Sequence, residues 1–484
     1  MKRTATLLTL AALFATAGFA GAIQIGEQPM TYISSLDDTE QPYNLYVPPA
    51  YENGEPLPLV VVLHGLGSSW QTWFSVTTVT DWASDEGLIV VAPHGRGNWY
   101  YMGPGEQDVL DVIEVVQRLC RVDEDRIYLI GHSMGGWGTW QMGLSHPDLF
   151  AAIIPNAGWA PLELLPNAKD LPICITHGTA DTVVPVERAR DADAALDALG
   201  IDHVYLEIPA WGHHSALISH MLPVFGRWLL EQERSPSPNS LTLRTFTPRR
   251  GSAHWIQFLE NEEFPRLARI DADAPSGENR IEITTSNVRS FAIDLARLPF
   301  EPNADTAITV NGEAAPSPLD VSRRALICDH SEGAWEFNGS SVPSIPEPAV
   351  VAQLEEAQGD PVGTVAQIFA AATGSDTGLL RTVYACPGLA AGPVTEDELL
   401  DLYLRAMDPL YTAEMTAATI HEITESGRNQ MSPVVSLDDP DRVYKVALTT
   451  YLVRRLPEGV EVEPVGRNAG EVIYDYVRET GSLP

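Results

Sequence analysis

Ile127-Tyr128-Leu129-Ile130-Gly131-His132-Ser133-Met134-Gly135-Gly136 decides how the first half of this chain folds. A short apolar run ends at a glycine, and a helical stretch, Trp137 to Gly143, begins directly after the glycine pair. A strand that turns sharply into a helix needs small neighbours, because the backbone is strained at the turn and the side chain at its tip must stand clear. Gly131 and Gly135 supply them. The helix starting after Ser133 points its positive end at the same spot, which favours negative charge developing there. Ser133 is therefore a candidate nucleophile, and a glycine turn with no chemical role is the plainer alternative.

The same alternation extends on both sides. From about Tyr43 to Leu230, apolar β-branched runs such as Leu59-Val60-Val61-Val62-Leu63, Leu88-Ile89-Val90-Val91-Ala92, Ala151-Ala152-Ile153-Ile154, Ile173-Cys174-Ile175 and Val204-Tyr205-Leu206-Glu207-Ile208 alternate with helical stretches. Such runs are apolar on both faces, which predicts a mainly parallel sheet covered by helices on each side.

Three loops leave these runs with chemistry-bearing residues. His64-Gly65-Leu66-Gly67 follows Leu63, where this architecture needs a second backbone donor, so the amides of Leu66 and Met134 are the expected oxyanion hole. Asp181, in His177-Gly178-Thr179-Ala180-Asp181, follows another buried run and would orient and stabilise an imidazolium. Trp211-Gly212-His213-His214 follows Val204–Ile208 and supplies the base from either histidine. The order Ser, Asp, His along the chain is the one this fold requires. His64, His94, His132 and His177 are expected to pack or to hold loops. Trp99, Tyr100 and Trp211 are candidates to wall a substrate pocket, with ordinary aromatic packing as the alternative. Glu106 and Asp108 are expected to cap a helix.

These residues carry a resemblance. Residues 40–232 resemble the α/β-hydrolase esterases that include feruloyl and acetyl-xylan esterases, polyhydroxybutyrate depolymerase-like proteins and dienelactone hydrolase relatives, and are similar to the catalytic domain of prolyl oligopeptidases. The matching positions are His64-Gly65, Gly131 to Gly136, His177-Gly178 with Asp181 and Val184-Pro185, and Gly212-His213. The resemblance implies a Ser133, Asp181, His213 triad; His213 is preferred over His214 because it directly follows Gly212. No propeller-like repeat precedes the block, which favours an ester over a peptide. The stretch from Gly158 to Leu171 is too short for a large lid, so an open site is expected and a long-chain lipase is disfavoured.

The chain has 484 residues, more than one ordinary core holds, and three domains are expected. Residues 1–22 read as a cleaved signal peptide: Lys2-Arg3, an apolar run to Phe19, then Ala20-Gly21-Ala22. That run is short for a bilayer and lacks a cysteine for lipidation, so a secreted or periplasmic protein without stable membrane insertion is expected. Residues 23–234 form the expected catalytic domain. Beyond Ser235-Pro236-Ser237-Pro238, residues 241–340 alternate with period two and include an Asn311-Gly312 turn, as in a small antiparallel β-sandwich-like domain. A second proline-rich stretch, 342–348, precedes an expected α+β domain over 350–484. Val362-Gly363-Thr364, Gly392-Pro393-Val394-Thr395-Glu396-Asp397-Glu398-Leu399 and Val443-Tyr444-Lys445-Val446-Ala447 make the region around 350–455 resemble the C-terminal domain of secreted 5′-nucleotidases, with Cys386-Pro387-Gly388-Leu389 standing where that family has a Gly-Gly-x-Arg turn.

A formal charge of −35 argues against a nucleic-acid partner. Cys120, Cys174, Cys328 and Cys386 are too widely spaced for a zinc cluster, and Cys328 with Cys386 is a candidate pair. No metal or organic cofactor is expected. The expected function is a serine hydrolase acting on a small-molecule or polysaccharide-linked ester. A serine peptidase of short peptides and a surface or carbohydrate-binding protein with a vestigial hydrolase remain alternatives.

Overall fold

The computed structural model describes residues 23–340, 346, 349–354, 360–381, 392–401, 409–424, 429–432, 435, 437–453, 456–457, 459–480 and 482–483. The expected signal peptide and Cys386 lie outside the described residues. The first unit is an eight-stranded sheet made of β1 (Gly26–Ile33), β2 (Glu40–Val47), β3 (Leu57–Leu63), β4 (Ile89–Pro93), β5 (Val122–His132), β6 (Ala152–Asn156), β7 (Cys174–Gly178) and β8 (Val204–Ile208). Its spatial order is β1-β2-β4-β3-β5-β6-β7-β8. The pairs β1–β2 and β2–β4 are antiparallel, and every pair from β4 to β8 is parallel.

Strand β3 shows why the continuous apolar runs were needed. Leu59, Val61 and Leu63 enter one core with the helices α3 (Pro104–Leu119), α4 (Met134–Ser145) and α5 (Glu187–Leu199). Val60 and Val62 enter a second core, against α1 (Thr72–Val76), α2 (Val79–Glu86) and α6 (Ala216–Leu230). All five side chains are fully buried, so the period-two pleat feeds two apolar layers at once. Fully burying each contributes about 1.5–3 kcal/mol.

Residues 240–340 form two five-stranded sheets around one core that includes Leu243, Phe258, Ile283 and Phe291. The expected Asn311-Gly312 turn joins Ala307–Val310 to Glu313–Ala314 with φ of 49° and 85°, the left-handed pair that a tight hairpin requires. One expectation is corrected: the unit is not wholly antiparallel, because Arg280–Ser286 pairs parallel with Ala307–Val310. Period-two alternation encodes which face is buried, not which way the neighbour runs. Cys328 is a fully buried thiol with no disulfide partner among the described residues; its candidate partner Cys386 lies outside them. The last unit packs Pro361–Thr373 and Ala469–Thr480 on a five-stranded sheet with its own core. Among the described residues no helix is long and apolar enough to cross a membrane.

A second correction concerns helix α3. Its N-cap is Gly103, with no side-chain cap, and the two carboxylates of its first turns face elsewhere. Asp108 pairs with Arg96 at 2.9 Å. Glu106, 2% exposed, meets His146 at the end of α4 at 2.8 Å, Arg249 at 2.8 Å and Arg250 at 2.6 Å. Arg249 and Arg250 belong to the second unit and also reach Asp401 of the third, at 3.2 and 2.8 Å. All three units therefore meet at one buried ionic knot.

Candidate active site

The strand-to-helix turn after β5 places Ser133 at the tip, with φ of 60° and ψ of −115°. A side chain rarely adopts that backbone, and it persists only where the surroundings over-determine it. Here they do. The Ser133 amide donates to the Asn156 carbonyl at 2.9 Å, which ties the turn to the neighbouring strand β6. A Cβ on Gly135 would lie 2.1 Å from the Leu63 carbonyl oxygen, and one on Gly158 would lie 2.5 Å from the Gly136 carbonyl carbon. Helix α4 thus rests directly on backbone. Gly135→Ala should destabilise the protein by several kcal/mol, beyond the roughly 1–3 kcal/mol of ordinary overpacking, since a carbonyl cannot rotate aside as a side chain can. Thermal melting of the variant checks this; an unshifted transition would contradict it.

Two further strand ends face Ser133. Asp181 leaves the turn after β7, and His213 leaves the loop after β8. His213 Nε2 lies 2.7 Å from Ser133 Oγ, and His213 Nδ1 lies 2.6 Å from Asp181 Oδ2. Asp181 Oδ1 accepts the Val183 and Val184 amides, each at 2.8 Å. Burial alone would raise the Asp181 pKa, but the bonds from His177, His213 and the Val184 amide outweigh it and hold the carboxyl well below its usual range. His177 Nε2 stands 3.4 Å from the same carboxylate while bonding the Val184 carbonyl at 2.9 Å. His214 joins the turn that opens α6 and makes no bond to Asp181 among the described residues.

Leu66 is exposed and Met134 opens α4, and neither amide has a hydrogen-bond acceptor within the described residues. Gly65 sits against Ser133: a Cβ there would be 3.5 Å from the Ser133 Cβ. The loop is held by the Gly67 amide donating to Asn98 Oδ1 at 2.8 Å. Of the three candidate pocket aromatics, Tyr100 is 6% exposed and packs against Trp159, ring centres 6.4 Å apart. Trp159 in turn stacks on Trp137 of α4 at 5.2 Å. Trp211 is half-buried and stacks on His220 of α6 at 4.9 Å, while Trp99 remains half-buried in its loop.

Sequence reasoning missed Asn98 and Asn156. Asn156 accepts from His132 Nδ1 at 2.6 Å and donates to Thr176 Oγ1 at 2.7 Å, so it joins β5, β6 and β7 beneath the turn. Its only signal was its place at the end of a buried strand. His132, whose ring lies 4.8 Å from that of His213, is held neutral: burial lowers its pKa to about 4. The unfolded chain takes up this proton near pH 6.5, whereas the folded one does so only near 4. Stability is therefore lost as pH falls between these values, by on the order of 3 kcal/mol from this group. Denaturant titrations at pH 7 and pH 4 should show a smaller acid loss for His132→Gln than for the unaltered protein; equal losses would contradict the assignment.

Residues 34–181 match the family model described as "Putative esterase". This unit has the α/β-hydrolase fold, and its first part matches an esterase model. The hydrolase unit is similar to feruloyl esterase B of Thermothelomyces thermophilus, 32% identical over 120 residues, covering 22% of this chain and 40% of that one. It is also similar to the putative esterase NocK of Nocardia uniformis subsp. tsuyamanensis, 28% identical over 166 residues, covering 31% and 47% respectively. The matches thus span less than half the length of either relative. Among solved structures, a thermostable esterase is 29% identical over 43% of this chain and 63% of that one, with a TM-score of 0.38. The expected resemblance of the third unit to 5′-nucleotidase domains is not shown by these comparisons.

Proposed function

We propose that the protein is an exported serine hydrolase that cleaves carboxylic esters of short or aromatic acyl groups through an acyl-enzyme. The observation that carries this reading is the unbroken relay from Ser133 Oγ through His213 to Asp181, at 2.7 and 2.6 Å, at the tip of a strained turn. His213 Nε2 takes the Ser133 proton as Oγ attacks the ester carbonyl carbon. The carbonyl π electrons move onto oxygen, where the Leu66 and Met134 amides receive the charge. Collapse of the tetrahedral intermediate expels the alcohol, which takes its proton from His213. Water, deprotonated by the same imidazole, then releases the acid and restores Ser133. Asp181 stays ionised throughout and holds Nδ1–H of His213, so that Nε2 is the free base.

The stretch Leu162–Asp170 supports an open site suited to bulky esters. It is pinned to α4 and to the second unit by Asn167, whose Nδ2 donates to the Leu144 and Arg244 carbonyls at 2.8 and 2.9 Å. Export is supported by the basic, apolar and small-residue succession of residues 1–22. The test is turnover of acetyl, butyryl and feruloyl esters and of a peptide amide, alongside Ser133→Ala. Ester turnover that vanishes with Ser133 supports the reading. Amide cleavage without ester cleavage, or activity that survives the substitution, overturns it.

A further inference from the structure

The second and third units enclose a cleft of about 1150 Å³ that the ester chemistry does not use. Phe264 and Tyr474, one from each unit, meet edge to face with ring centres 4.8 Å apart. Around them the lining is dominated by charged side chains, six carboxylates against four guanidiniums. Those charges are largely matched within the cleft. Arg289 faces Glu260 at 3.4 Å, Arg266 pairs with Glu263 and lies 3.8 Å from Glu471, and Arg467 pairs with Asp475. Arg289, Glu260 and Arg266 keep 55%, 59% and 64% of their side-chain surface, so their hydrogen-bonding edges remain available. Tyr474 faces Glu396, whose carboxyl is pushed above its usual range by burial and by neighbouring Asp397.

The lining selects its ligand by elimination. An apolar molecule would strip water from charged groups without replacing those hydrogen bonds. A polyanion would meet the carboxylate excess, and a polycation would meet guanidiniums wherever it met acids. A neutral chain rich in hydroxyls escapes both penalties, since each hydroxyl can donate to a carboxylate and accept from a guanidinium. Its C–H faces can rest on the aromatic pair. The volume exceeds what a single small ligand needs, which suits several consecutive rings.

We propose that this cleft binds a neutral polysaccharide chain. Binding stands on the cleft alone; the further step, that the bound chain carries the ester presented to Ser133, rests on the function proposed above. Retardation of the full chain carrying Ser133→Ala, which binds without hydrolysing, is to be measured in native gels containing arabinoxylan, hydroxyethyl cellulose, galactomannan or laminarin. Retardation by at least one of them is expected, weakened tenfold or more by Tyr474→Ala and by Arg289→Ala. Arg289 is more than half exposed, so its removal tests the cleft even where Tyr474→Ala disturbs packing. In the Ser133 background, p-nitrophenyl acetate turnover by both cleft variants should stay within twofold of the unaltered protein. Migration unaffected by all four polymers overturns the proposal. So does retardation undiminished in both variants, or retention by polylysine in place of polysaccharide, which would make a basic peptide the ligand. Failure of the ester reading shows separately, as no small-ester turnover with retardation intact.

Discussion

Ser133→Ala should lower kcat on p-nitrophenyl acetate by roughly 10⁴–10⁶-fold while leaving KM within a few-fold, because the relay acts as a unit and nothing else near the turn can take the nucleophile's place. The His132 ring lies 4.8 Å from that of His213, but burial holds it neutral and its Nδ1 is committed to Asn156. Asp181→Asn should cost about 10⁴-fold by a different route, since an amide can no longer hold the imidazole tautomer that leaves Nε2 free. A residual rate above uncatalysed hydrolysis is expected in both, from the Leu66 and Met134 amides. A serine-directed phosphonate should label the unaltered protein and not Ser133→Ala. Labelling that persists, or kcat within tenfold of the starting value, would remove Ser133 from the reaction.

The second large effect is on stability. Glu106→Ala should destabilise the chain by about 3–5 kcal/mol, because it leaves two buried guanidiniums facing each other with Asp401 as their remaining carboxylate in the knot. Burial by itself would raise the Glu106 pKa, but Arg250, Arg249 and His146 outweigh it and hold the carboxyl well below its usual range. Because the folded value lies below the unfolded one, this stabilisation is complete above the ordinary carboxylate range and is lost as pH falls through the folded value. The difference between Glu106→Ala and the unaltered protein should therefore be largest near neutrality and shrink in strong acid. Combining Glu106→Gln with Arg250→Met should cost less than the sum of the single losses, because one negative and one positive charge then leave the knot together and Arg249 keeps Asp401. Strict additivity in denaturant titrations would show that the two groups do not interact.

The contrast between these two sites shows what local sequence can carry. Ser133 was legible because its constraint is local: an apolar strand, a glycine at each side of the turn, and a helix at once after it. Asp181 and His213 are legible because each lies just past an apolar run, and parallel strands bring all their C-terminal ends to one edge; the run before His213 proves only half-buried, since β8 is the edge strand and one of its faces lacks a full apolar cover. Glu106 looks like a cap from local sequence because an acid in a first helical turn ordinarily is one. Its partners are Arg249 and Arg250, 143 and 144 residues away, and no local pattern announces a pairing across that separation. Asn156 and Asn98 escaped for a similar reason, since a polar side chain at a strand end or in a loop carries no mark of the backbone it will hold. The parallel pairing of Arg280–Ser286 with Ala307–Val310 is likewise invisible to alternation, which reports faces and not directions.

The ionic knot also bears on modularity. The prolines after Ser235 look like a place to cut the chain, and a shorter enzyme ending there would retain Ser133, Asp181 and His213 intact. It would also retain Glu106 of α3 facing the end of α4, with both arginines gone and, among the described residues of the knot, His146 left to pair with it. The hydrolase is therefore not a detachable cassette: its counterions are encoded downstream of its own last helix, and any attempt to trim it must redesign that carboxylate first.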